Sequence, residues 1–176
     1  MSKNTEPHNT LGHKGRHLDF HSKHGWEYVT RSKCAGVVGV IAMTEGQQLV
    51  LVEQFRIPVS GRVLELPAGL VGDVAHETLE QAAQRELLEE TGYEAESITP
   101  LFSGPTSAGL TDEVIQLVQA NGLVRKHPGG GVDGESITVH VVPLMSLESF
   151  ITEFEQSGGL VDFKVRLASR LIGIRS

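Results

Sequence analysis

From Thr78 to Gly92 the chain reads "TLEQAAQRELLEETG", and no other stretch restricts the fold as strongly. Thr78 with Gln81 three residues on is a capping-box pair, and Gly92 supplies a helix stop, so a helix over roughly residues 78–91 is predicted. Leu79, Ala83 and Leu87 recur at i, i+4 and i+8 with Ala82 and Leu88 beside them, which gives the helix a face that must be buried. Glu86, Glu89 and Glu90 lie within five residues and are expected to point away from that face. Like charges on adjacent turns repel by about 0.2–0.5 kcal/mol per exposed pair, and by more where water is excluded. Two readings answer the repulsion. One is a solvated face in which Arg85 pairs with Glu89; the other is a hard divalent cation such as Mg²⁺ taking oxygens from Glu86 and Glu90 on successive turns.

Strand signals surround the helix. "GWEYVTR" at 25–31 reads as a short strand, and "AGVVGVIAM" and "QQLVLVEQF" are rich in β-branched residues and separated by Thr44, Glu45 and Gly46, a hairpin signal. "VLEL" at 63–66 is stopped by Pro67, Ala68 and Gly69. After the helix, "ESITPLF", "VIQLVQA" and "SITVHVVPL" read as strands, and "SLESFITEFEQSG" and "VDFKVRLASRLIGI" as two terminal helices. The triple glycine at 129–131 marks a mobile loop. This order predicts an α/β/α sandwich, a mixed sheet covered by helices. The polar first 20 residues are expected to stand apart as a segment open to disorder, with residues 21–176 forming a single domain.

Composition narrows the chemistry. Fifteen Lys and Arg against 22 Asp and Glu give a net charge of −7, with no basic run, so a nucleic-acid platform is not expected. No apolar run approaches the roughly 20 residues needed to span a bilayer, and no signal-peptide segment precedes the domain, so a cytoplasmic protein is expected. The single cysteine, Cys34, agrees with a reducing compartment. Among the eight histidines, His8, His13, His17, His21 and His24 are scattered along a polar segment rather than paired as zinc ligands.

With Glu77 eight residues before Arg85, the segment from Glu77 to Tyr93 reads E-x7-R-E-L-L-E-E-T-G-Y. It resembles the Nudix box, G-x5-E-x7-R-E-U-x-E-E-x-G-U with U an aliphatic or aromatic residue, the signature of hydrolases that cut nucleoside diphosphates linked to another moiety. The glycine that the pattern places at position 71 is here Val71, while Gly69 sits two residues earlier, as a two-residue insertion in the loop would leave it. The resemblance implies a Nudix-type sandwich with a loop–helix–loop. It also implies Mg²⁺ as cofactor, with Mn²⁺ able to substitute, bound by Glu86, Glu89 and Glu90. Arg85 would hold these glutamates in place and Glu77 would sit at the helix start.

The flanks resemble one branch of that family, the ADP-ribose and nucleoside diphosphate-sugar pyrophosphatases. "EQFR" at 53–56 and "LELPAG" at 64–69 imply that Arg56 contacts the diphosphate and that the Ala68 carbonyl ligates metal. "WEYVTR" implies that Trp26 stacks on the base across a homodimer, that Glu27 reads its edge and that Arg31 reaches the phosphates. "DGE" at 133–135 resembles the mobile loop of the branch that brings in the catalytic base and a further metal contact. Glu135 is the first candidate and Asp133 the second. In "GPTSAGLTDE", Glu113 matches the closing acid of a substrate loop. The implied reaction converts ADP-ribose to AMP and ribose 5-phosphate. GDP-mannose or a UDP-sugar as substrate, and a non-catalytic ADP-ribose-binding regulator, are the alternatives.

Overall fold

The computed structural model describes residues 10–72, 75–132 and 134–173. Its centre is an eight-stranded mixed sheet. The main path runs β13 (Leu160–Val161), β6 (Gly61–Glu65), β5 (Gln48–Arg56), β4 (Gly36–Met43), β10 (Val114–Asn121) and β9 (Ser97–Pro105). Off this path, β12 (Thr138–Pro143) pairs with β5 and β7 (Ala68–Val71) with β4, both antiparallel. The β10–β4 and β13–β6 pairs are parallel, which makes the sheet mixed.

Strand alternation divides the core between the two faces. On β4, Val38, Val40 and Ala42 pack with Val50 of β5 and with Ala82, Ala83 and Leu87 of helix α1 (Leu79–Thr91). On the same two strands, Val37, Ile41, Leu49 and Leu51 pack with Leu147 and Ile151 of α2 (Leu147–Gln156) and Val165 and Ala168 of α3 (Phe163–Gly173). The expected α/β/α sandwich is therefore the observed one. Among the described residues no helix is long and apolar enough to cross a membrane.

Helix α1 is fixed at both ends. Thr78 Oγ1 accepts from the Gln81 N–H at 3.3 Å and Gln81 Oε1 accepts from the Thr78 N–H at 2.9 Å, a cap worth about 1 kcal/mol. At the other end Gly92 takes the left-handed conformation with φ 75°. The last carbonyls are then met by the triple glycine, because Gly130 N–H donates to Glu90 O at 2.9 Å and Gly131 N–H to Glu89 O at 3.1 Å. The glycines expected to give a loop its freedom thus have a different physical reason. Gly129 has φ 80°, and a Cβ there would lie 2.5 Å from the carbonyl carbon of Thr91.

Four other expectations change. Residues 10–20, read as a segment apart, include β1 (Thr10–Lys14) and the start of β2 (Leu18–Lys23), which with β3 (Trp26–Arg31) form a separate antiparallel sheet. Cross-strand pairing overrides their polarity, and His21 stacks on Tyr28 with centroids 5.3 Å apart. Residues 68–71, read as a strand stop, are β7, since the turn at Pro67 lets the chain return beside β4. Short pairs missed from sequence are β8 (Tyr93–Glu94) with β11 (Val124–Arg125), and β13 with β6; two residues are too few for a periodic signal. The α1 carboxylates do not all point away from the core, because Glu90 is only 5% exposed.

Gly129→Ala should destabilise the protein by about 1–3 kcal/mol or more in urea unfolding, whereas Gly46→Ala, whose Cβ would meet only side-chain atoms at 3.6 Å or more and whose φ is outside the left-handed region, should change it by less than about 0.5 kcal/mol. Equal midpoints for the two variants would refute the docking role of the glycine loop.

Candidate active site

One guanidinium organises the acidic end of α1. Arg85 Nε donates to Glu77 Oε1 at 2.8 Å and Nη2 to Glu77 Oε2 at 3.2 Å, while Nη1 reaches Glu86 Oε1 at 2.8 Å and Glu89 Oε2 at 3.1 Å. Nη2 also donates to the Leu70 carbonyl at 3.2 Å, which ties the helix to β7. The hydrogen bonds it donates to Glu77 first, and then, against burial, to Glu86, raise the Arg85 pKa, so its charge is permanent.

Beside this lattice opens a cavity of about 550 Å³. Its walls include Glu86 and Glu90 from α1, Ala68, Gly69 and Leu70 from β7, Gln54 and Arg56 from β5, and Glu65 from β6. Arg31, Glu113, Glu135 and Lys164 complete its polar lining. The close approach of β7 to α1 requires glycine at 69, where a Cβ would stand 1.9 Å from Cδ of Glu86. The cations are each already matched: Arg31 with Glu113, Arg56 Nε with Glu65 Oε2 at 2.8 Å, and Lys164 with Asp162. Among the described residues, Glu90 receives only the Ala68 N–H, at 3.1 Å, and Glu135 the Val132 N–H, at 3.2 Å.

The electrostatic result is an overcharged acidic wall. Burial first, and then the charges of Glu86 and Glu135, push the Glu90 carboxyl up to about 8, against the lowering effect of the Ala68 N–H. Burial likewise raises Glu86, with the Arg85 hydrogen bond opposing. That Glu86 and Glu135 both act on Glu90 places the three carboxylates in one neighbourhood. The donor set of carboxylate oxygens and a backbone carbonyl is that of a hard divalent ion. No three acidic, His or Cys side chains among the described residues converge on one point in this conformation, so an ion held here would draw on Glu86, Glu90 and the Ala68 carbonyl with water completing its shell.

The structure brings together Ala68, Glu86, Glu90, Glu135, Arg31, Arg56 and Glu113 on this cavity. Arg85 stands behind it. Glu89 does not line it, being turned to Arg85 and 31% exposed. Asp133 lies outside the described residues. Trp26 and Glu27 are also off the cavity: they begin β3, whose last residue is Arg31, roughly 16 Å away at strand rise. Trp26 is 61% exposed and its Nε1–H donates to Gly109 O at 3.3 Å. Three polar lining residues were missed from sequence. Gln54 and Glu65 stand inside the quoted "EQFR" and "LELPAG" and could have been found from them. Lys164, second residue of α3, comes to the cavity through the Asp162 N–H bond to Leu64 O at 3.0 Å, a tertiary contact without a local signal.

A fold, an acidic helix and a cavity of this kind define a Nudix-type protein, and comparison with known proteins agrees. The NUDIX domain profile matches residues 34–153, and the chain belongs to that family. It is 44% identical over 98 residues to a methanol dehydrogenase activator of Bacillus methanolicus (56% of this chain, 52% of the relative). It is 38% identical over 91 residues to an ADP-ribose pyrophosphatase of Bacillus subtilis (52% of this chain, 48% of the relative). The chain thus spans about half the length of these curated relatives. The crystal structure of an ADP compounds hydrolase superposes with a TM-score of 0.71 at 18% identity, covering 98% of this chain and 95% of that one, a likeness of fold.

Glu90 sets a pH dependence. Its folded value, about 8, exceeds the unfolded 4.5, so between these pH values the unfolded state releases the proton that the folded state keeps. Metal-free stability should therefore fall as pH rises from about 4.5 to 8, and Glu90→Gln should flatten that fall and exceed the wild type at pH 8. Parallel thermal-unfolding curves for the two proteins in chelator would contradict this.

Proposed function

We propose that this protein is a divalent-metal-dependent hydrolase of nucleoside diphosphate sugars, with ADP-ribose the foremost substrate and AMP and ribose 5-phosphate the products. The observation that carries the reading is the charge balance of the cavity. Five lining glutamates face three lining cations, all three of which are already paired. A diphosphate could not enter such a wall unless cations came with it, and a wall of this composition has a use where cations and a polyanion bind together.

In this reading Glu86, Glu90 and the Ala68 carbonyl hold Mg²⁺, or Mn²⁺ in its place, and Arg85 keeps the helix carboxylates in register. The ion supplies charge neutralisation at the phosphate oxygens and acidifies a bound water. Arg56 and Lys164 bind phosphate oxygens, and Arg31, steadied by Glu113, binds further along the substrate. Glu135 accepts the proton of the attacking water, with Asp133 its alternative. Glu89 adjusts the set through Arg85. The protein acts in the cytoplasm as a homodimer. That arrangement is supported by Trp26, which stands 61% exposed on the small sheet, where a partner could present it with Glu27 to the base.

A panel of ADP-ribose, GDP-mannose and UDP-glucose with MgCl₂ tests the reading. ADP-ribose should be cleaved fastest, with turnover abolished by chelator. Glu135→Gln should lower kcat by about 10²–10⁴-fold at an unchanged melting temperature. Preference for GDP-mannose would move the substrate to the alternative nucleotide sugar. Binding of ADP-ribose without cleavage of any panel member would refute hydrolysis.

A further inference from the structure

Away from the cavity, on the α2 side of the sheet, a second polar cluster joins three strands. Glu53 of β5 has a carboxylate only 14% exposed, and each oxygen has one partner: Oε1 accepts from Arg62 Nη1 at 2.9 Å and Oε2 lies 2.8 Å from His140 Nε2. Arg62 belongs to β6 and His140 to β12, the strands that pair with β5 through Glu53. The cluster is anchored below. Arg62 Nη2 donates to Ser157 Oγ at 3.0 Å, with its guanidinium 5.2 Å over the Phe154 ring, and the His140 ring meets that of Phe150 at 5.2 Å. Burial raises the Glu53 carboxyl, yet the hydrogen bonds from His140 and Arg62 outweigh it and hold the group ionised below its ordinary value.

Two of the three strands carry a cavity residue a short step from this cluster, and a third cavity residue comes just before the other strand, β12. Arg56 follows Glu53 by three positions, Glu65 follows Arg62 by three, and Glu135 precedes His140 by five. At about 3.3 Å per residue the steps within β5 and β6 are roughly 10 Å, within the span over which a paired strand transmits its register, and Glu135 stands three residues before the start of β12. Glu135 needs such help most. Its carboxylate, on the residue after Gly134, is held by one backbone N–H, and β12 is its first firm connection to the sheet.

We infer that His140 is a positioning residue: through Glu53, and with Arg62 as the second arm, it fixes β12 and thereby the placement of Glu135 across from Glu86 and Glu90. This rests on the reading of Glu135 as the proton acceptor. The imidazole touches no substrate, so its removal acts on the rate of the chemical step and leaves substrate affinity alone.

His140→Leu tests this with two readouts, steady-state cleavage of ADP-ribose and amide hydrogen exchange of peptides covering residues 134–140 without substrate. Expected are a fall in kcat of about tenfold with KM within about twofold, and faster exchange in those peptides; His140→Gln, which keeps a donor for Glu53, should restore most of both. Should His140→Leu not fold, Arg62→Met, at a side chain 46% exposed, removes the other arm and should shift kcat and exchange in the same direction. Unchanged exchange, or a lower melting temperature with kcat intact, would overturn the inference. A wild type that cleaves no nucleotide sugar would fail the hydrolase reading, while the exchange comparison would still decide whether His140 fixes the loop.

Discussion

The contact on which the rest depends is the grip of Arg85 on three carboxylates and a carbonyl. Glu77, Glu86 and Glu89 would repel one another if left to themselves on one helical segment. A single planar fork meets all three, with Glu77 taken bidentately, and spends its remaining hydrogen-bonding capacity on Leu70 of β7. Helix and strand are thereby fixed at a separation that only Gly69 permits, with the Glu86 carboxylate lying where any larger residue would place its Cβ. Lysine, a point charge without the fork, could not make this set of contacts.

Arg85 leaves Glu90 unmatched. Buried behind Glu86 and within reach of the charge on Glu135, it is the group that the protein has not neutralised from its own stock of cations. Leaving a carboxylate buried without a counter-charge is costly, and such cost persists where a site uses it. The neighbouring cations show the same logic from the other side. Arg31, Arg56 and Lys164 are steadied by one carboxylate each, which sets their direction without filling all their donors. The cavity is thus built to take up a cation, and to admit an anion only together with one.

Much of this was legible in the sequence, for physical reasons that differ by residue. The capping box at Thr78, the stop at Gly92 and the stripe through Ala83 and Leu87 are local, and the helix they predict is the helix observed within a residue. Glu86, Glu90, Arg56 and Glu113 could be named because the spacing of their motifs survives folding. Lys164, Glu53 and His140 could not, since what gives them a role is the pairing of β13 with β6 and of β12 with β5, contacts between segments about 100 and 90 residues apart in a 176-residue chain. The N-terminal strands were misjudged because polar residues on a small, half-exposed sheet lack the apolar alternation by which strands are read. The glycine triplet was read as freedom, when its left-handed φ angles and close packing on Thr91 are constraints.

Calorimetric titration with Mn²⁺ at pH 7, in buffers of different ionisation enthalpy, tests the central claim most directly. With its carboxyl raised to about 8, Glu90 is mostly protonated at that pH, so metal binding should release close to one proton per ion, visible as a buffer-dependent heat that disappears in Glu90→Gln together with most of the affinity. Binding of Mn²⁺ with no proton release, or with equal affinity in Glu90→Gln, would show that the buried carboxylate is not where the metal goes.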